Sequence, residues 1–215
     1  MQTSFNRRKF IRNSSLLTMG AVSAPLLGTT PMPIPRHSVA LENKNIIGPR
    51  EGYTPHIGTL VSMMNWMRDV MLSPVRGMSV SDLDYLIDDN ANTIGAMLMH
   101  LAATERFYQI NTFDNKKWGD FPEEDLIKFG AASMLGDRGR AEIKGKSLDY
   151  YLEEMTAIRE NTLAEFKKRD DDWLFSVDND FPWGPTNNYC KWFHVCEHES
   201  NHNGVFKFLK SRIVP

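Results

Sequence analysis

An all-α fold, an up-down bundle of four helices, is what this sequence predicts, on three observations. Apolar residues recur at helical spacing in four long stretches. No run of alternating or β-branched residues reads as a strand. The stretches are separated by segments rich in Pro, Gly, Asn and Asp, with Ser, Thr or Asn at their starts. With 215 residues, 41% of them hydrophobic, the chain is long enough for one such domain. Its net charge is -2, and no basic stripe carries interleaved aromatics, which argues against nucleic acid as a partner.

In chain order, residues 1–28 come first and read as a targeting segment. Arg7-Arg8-Lys9-Phe10-Ile11-Arg12 is a positive region with adjacent arginines, and Leu16 to Leu27 is apolar but too short to span a bilayer as a stable helix. The pattern resembles a twin-arginine export signal and implies a periplasmic or extracellular protein with no stable membrane span in its mature form. Pro25 disfavours cleavage after Ala24, so no clean cleavage site stands out, and no cysteine is placed for lipid attachment. Residues 29–52, with Pro31, Pro33, Pro35 and Pro49, read as a linker, and the bundle domain is expected over 53–215.

The first helix is expected at about 55–71, with Thr54 as N-cap, Pro55 in the first turn and a stripe of Leu60, Met63, Met64, Met67 and Met71. Methionine here is core filler rather than ligand, since no cysteine joins it. Ser79 to Asp84 reads as a short capped turn. A second helix is expected at about 93–112, with Asn90 and Asn92 as cap candidates and Ile94, Met97, Leu98, Leu101 and Tyr108 on the buried face. Residues 113–146 break the pattern, apart from a short helix over Glu123 to Leu135 that is followed by the polar run Gly136 to Arg140. A third long helix, about 147–168, starts at Ser147 and carries Leu152, Met155, Ile158, Leu163 and Phe166. Thr186 or Asn187 caps the last, at about 187–211. Cys190 and Cys196 read as packing cysteines: on one helix, six residues put them about 9 Å apart, too far for a disulfide, whereas a Cys190 in the preceding loop would leave a bridge open.

The last helix holds the chemistry. His194, His198 and His202 recur every fourth residue, so they stand one turn apart on one face. Neighbours at that spacing are about 6 Å apart at Cβ and can share a metal ion, whereas His194 and His202 are about 12 Å apart along the axis and cannot both enter one compact site. Two pairs are therefore open, His194/His198 and His198/His202. His100, beside the apolar face of the second helix, is the candidate third donor. Two histidines one turn apart plus one across the bundle make a three-nitrogen site with an open position, the arrangement of catalytic zinc; imidazole equally suits nickel, iron or copper. Glu199 and Glu105 are candidate catalytic groups, each as a general base or as the orienter of a histidine. His198-Glu199-Ser200-Asn201-His202 fits HExxH, but only 13 residues follow and none is His, Asp or Glu, which disfavours a metalloprotease.

Two stretches, Ile94-Gly-Ala-Met-Leu-Met-His100-Leu-Ala-Ala-Thr-Glu105 and His194-Val-Cys-Glu-His198-Glu-Ser-Asn-His202-Asn-Gly204, resemble the DinB-like superfamily of metal-binding four-helix bundles. The resemblance covers about residues 55–212. It implies a ligand set of His100, His198 and His202, with His194 left as a neighbour one turn away. The His-Arg-Gly-Gln ending common in the family is here His202-Asn203-Gly204-Val205, so its arginine and glutamine are absent. Characterised relatives include metal-dependent transferases and isomerases that use low-molecular-weight thiols. The expectation is thus a divalent metal, zinc or nickel, in a metal-dependent hydrolase or thiol-type transferase acting on a small molecule. A non-catalytic exported metal-binding protein is the alternative, and a homodimer is compatible with either.

Overall fold

The structure is a computed structural model that describes residues 43–213. The twin-arginine-like segment 1–28 and the first part of the Pro-rich stretch lie outside the described residues. The all-α bundle expected from the sequence is what forms. Its helices are α1 (Pro55–Leu72), α2 (Val80–Leu83), α3 (Ile94–Thr112), α4 (Glu123–Met134), α5 (Gly136–Glu142), α6 (Leu148–Phe166), α7 (Asp171–Phe175) and α8 (Asn188–Lys210). A two-residue antiparallel pair, β1 (Val177–Asp178) with β2 (Thr186–Asn187), pins the loop before α8. No helix among the described residues is long and apolar enough to cross a membrane.

Side-chain contacts between the long helices give their directions. Along α1 and α8, Met63 meets Cys196, Arg68 meets Glu199 and Pro74 meets Lys210, so these two run parallel. Along α3 and α8, Thr112 meets Trp192 and His100 meets His198, so these run antiparallel. Along α3 and α6, Gly95 meets Tyr151, Glu105 meets Arg159 and Gln109 meets Thr162, again parallel. The order is up, down, down, up, so the strict up-down alternation expected from the sequence gives way where α3 and α6 run parallel. The segment after α3 must therefore travel back along the bundle, about 28 Å for a helix of 19 residues. Helix α4 makes that return journey, antiparallel to α3, with Asp125 on Arg106, Ala132 on His100 and Gly136 on Asn92. The polar run 136–140, which reads as loop, forms α5 instead. Asn92 accepts the Gly136 N–H there, and α3 takes its own cap from Thr93 rather than from Asn90 or Asn92.

Residues 43–52, the end of the stretch read as linker, lie along α1. The Gly48 N–H donates to Ser62 Oγ, and Trp66 donates to Asn45. Gly58 makes this approach feasible, since a Cβ there would sit 2.5 Å from the Arg50 nitrogen. Thr54 stands at the N-cap of α1 as expected, but its side chain makes no cap bond within the helix. Asp171, at the start of α7, accepts instead from Thr54 Oγ1 (2.5 Å) and from the N–H groups of His56 (3.1 Å) and Ile57 (3.2 Å). A carboxylate at this helix end satisfies orphan donors and complements the dipole.

The core is divided in two. One apolar cluster, including Met71, Ile94, Leu98, Met155 and Phe206, fills one end of the bundle; another, including Leu60, Met64, Tyr108, Phe166 and Trp192, fills the other. Between them lies a charged layer built by one residue from each long helix.

Candidate metal centre

Antiparallel packing brings His100 on α3 opposite His198 and His202 on α8. The Nε2 atoms of His100 and His198 are 3.1 Å apart, as are those of His202 and His198, and the three donor atoms all lie within 4.8 Å of one another. Two nitrogens bound to one zinc at about 2.0–2.1 Å need a separation of this order. The Nδ1–H of His100 donates to the Ala132 carbonyl at 2.9 Å, so its Nε2 carries a lone pair aimed at the other two rings. Helix α4, which carries Ala132, thus orients the candidate donor carried by α3.

All three rings are held neutral. Burial pushes the His198 pKa down to about 3, helped by the charges of its histidine neighbours, and burial together with His100 pushes His202 down to about 4. Burial also lowers His100, against the raising effect of the Ala132 bond. Three neutral imidazoles with converging nitrogens form a donor set that suits a divalent cation. With Nε2 turned to an ion, Nδ1 of His198 and of His202 must carry the hydrogens, and both are buried without a partner among the described residues.

His194 is not part of this convergence. Its ring lies nearly parallel to that of His198, at 14° with centroids 5.1 Å apart, and its Nδ1 is 2.8 Å from the Tyr108 hydroxyl. The Trp183 ring stands nearly perpendicular to it, at 85° with centroids 5.0 Å apart. Both cysteines are free thiols; Cys190 is exposed and Cys196 buried.

The sequence profile of the mycothiol-S-transferase family matches residues 59–213, a span that covers α3 and α8 and all three converging histidines. The chain belongs to this family. The DinB-like resemblance read from the histidine stretches stands with it, mycothiol-S-transferases being DinB-like proteins. The fold is also that of an uncharacterised protein from Clostridium difficile 630, with a TM-score of 0.57 at 13% identity over 74% of this chain and 97% of that one. No curated protein matches the chain.

In this mycothiol-S-transferase family member Glu105 and Glu199, the two acids singled out in the sequence, lie in the charged layer rather than at an open surface. Glu105 accepts from Arg159 Nε (2.7 Å), Arg159 Nη2 (3.0 Å), Arg68 Nη2 (2.9 Å) and Thr162 Oγ1 (2.7 Å), which occupies both oxygens. Burial alone would raise the Glu105 carboxyl, but the guanidinium groups of Arg159 and Arg68 and these hydrogen bonds outweigh it and hold the pKa below its usual value. Glu199 Oε1 accepts from Arg68 (2.7 Å) and Arg159 (3.0 Å), while Oε2 is buried without a partner among the described residues. Two arginines and two glutamates, one from each of α1, α3, α6 and α8, neutralise one another inside the protein.

Arg68 and Arg159 escape a reading by hydrophobic period, because an arginine in an apolar stripe is ordinarily taken as a surface residue. Their signal is positional. Arg159 falls four residues after Met155 and three before Thr162, Glu105 three before Tyr108, and Arg68 four after Met64, all on core-facing stripes.

Proposed function

We propose that this protein is a metal-dependent S-transferase that joins a low-molecular-weight thiol to a small electrophile, with zinc or nickel held by His100, His198 and His202. The convergence of three neutral Nε2 atoms from two antiparallel helices carries this reading, and the family assignment directs it to thiol chemistry rather than to hydrolysis, which the same site would also support. A divalent ion at these nitrogens supplies Lewis acidity, which makes a thiol available as the nucleophilic thiolate at neutral pH. The chain's own residues do the rest. Ala132 fixes the tautomer and plane of His100, and the one-turn spacing fixes His198 against His202. Glu105 has no oxygen free for proton transfer and serves to anchor the helices. Glu199 keeps one oxygen in reserve, which fits an orienter of a neighbouring histidine better than a base in contact with solvent.

Three measurements test this. Elemental analysis of the wild type should give one zinc or nickel per chain. His198→Ala, His100→Ala and His202→Ala should each lose it, while His194→Ala should keep it with only mildly weaker binding. Full stoichiometry in His100→Ala would remove that residue from the ligand set. Consumption of mycothiol in the presence of an electrophile should then follow the metal content. A loaded wild type that consumes no thiol with any electrophile of a broad panel would favour the non-catalytic metal-binding reading. Export by the segment 1–28, and with it a periplasmic or extracellular location, belongs to the same proposal.

A further inference from the structure

The pair His194 and Tyr108 lies outside the ligand set, yet the ring of His194 is stacked on a ligand. Tyr108 is almost fully buried, and among the described residues its hydroxyl has one hydrogen-bond partner, His194 Nδ1 at 2.8 Å. A buried hydroxyl with a single partner that can accept donates to it, because its hydrogen otherwise has nowhere to go. Burial also pushes the Tyr108 hydroxyl pKa up, so it remains a donor. Nδ1 of His194 is therefore the acceptor, and the hydrogen of the neutral ring sits on Nε2. That atom has no protein partner among the described residues and is open to solvent, on a half-buried ring. Contacts with Trp183, nearly perpendicular, and with His198, nearly parallel, hold the plane of the ring.

The result is an N–H donor of fixed tautomer and fixed plane, one ring away from a metal ligand. Donors held in advance beside a reacting centre stabilise charge that develops on oxygen during reaction. We infer that His194 is a catalytic residue that donates Nε2–H to the oxygen of a carbonyl-conjugated electrophile, and that Tyr108 is the positioning residue that sets its tautomer. This rests on the S-transferase reading and adds a substrate class to it, α,β-unsaturated carbonyl compounds. In the step, the thiolate sulfur forms a bond to the β carbon and the C=C electron pair moves through the conjugated system onto the carbonyl oxygen, where His194 N–H meets it. The enolate then collapses and takes a proton from solvent at the α carbon, which balances the proton that the thiol gave up.

The test has two arms. In metal-free protein labelled with 15N-histidine, long-range 15N–1H NMR should show His194 as the Nε2–H tautomer, and Tyr108→Phe should shift it toward Nδ1–H. In metal-loaded protein with mycothiol, kcat/KM is compared for 2-cyclohexenone and for benzyl chloride, which has no oxygen. His194→Phe should lower the cyclohexenone/benzyl chloride ratio about a hundredfold, the lower end of the cost of a lost oxyanion donor. Tyr108→Phe should lower it less, and His194→Gln, which keeps an N–H, should restore part of it. An Nδ1–H tautomer in the wild type overturns the inference, as does a ratio that neither variant changes. A loaded wild type that turns over neither electrophile overturns the S-transferase reading itself, and with it the role of His194, whereas the tautomer is decided by the NMR arm alone.

Discussion

Protonation of His198 and His202 costs the native state more than it costs the unfolded chain. Their folded pKa values, about 3 and about 4, lie well below the ordinary 6.5, first because burial disfavours the charged ring and then because the neighbouring histidines repel it. Below about pH 6.5 the unfolded chain binds protons that the native state refuses, so stability is complete above that pH and declines as pH falls toward the folded values. Thermal melts of the metal-free protein should show Tm falling from pH 6.5 to pH 4, with a shallower slope in His198→Gln; the same slope in both would exclude these rings as its source. His100, His198 and His202 were legible in the sequence through their spacing and their family resemblance, since a four-residue repeat has one geometric meaning on a helix. The roles of Glu105 and Glu199 were not. A glutamate beside a histidine looks alike in sequence whether it faces water or two arginines, and the arginines reside 37 to 54 residues from Glu105.

At the scale of single elements, the four long helices end within about two residues of where periodicity and caps put them, because Ser147 and Asn187 act through local hydrogen bonds that sequence alone specifies. Ser79 and Asp82 likewise form the capping box that a short capped turn requires. What escapes is non-local. The cap of α1 comes from Asp171, more than a hundred residues away, and nothing in the first turn announces it. Its removal has a predictable cost. Asp171→Ala should destabilise the protein by about 1–2 kcal/mol, the usual value of a lost N-cap, read as a lower urea midpoint. Asp172→Ala, an exposed neighbour, is the control and should leave the midpoint in place. Equal midpoints for Asp171→Ala and the wild type would show that the cap carries no weight.

For the whole molecule, the direction of α6 was the feature least open to sequence reading. Periodicity finds helices but says nothing of which way each one runs, and here α4 carries the chain back so that α3 and α6 lie parallel. The proposed export signal also acts at this scale. With Arg7 and Arg8 both replaced by Lys, the protein should collect in the cytoplasmic fraction, and unchanged export would point to another route. The charged layer that separates the two apolar clusters has a counterpart along the chain. His100 and His198 are 98 residues apart, and α8 supplies two of the three nitrogens, Glu199 of the layer, and side chains to both clusters. During synthesis His100 therefore waits for its two partners until α8 has emerged. A chain that stops short of α8 loses two of the three converging nitrogens, half of the acid in the layer and a wall of each cluster together. Binding free energy for an ion at these nitrogens would be available only once α8 is docked, where it would add to the stability of the fold. The ion would act as a check on the docking of α8, retained by molecules that have this helix in place and released by those that lack it.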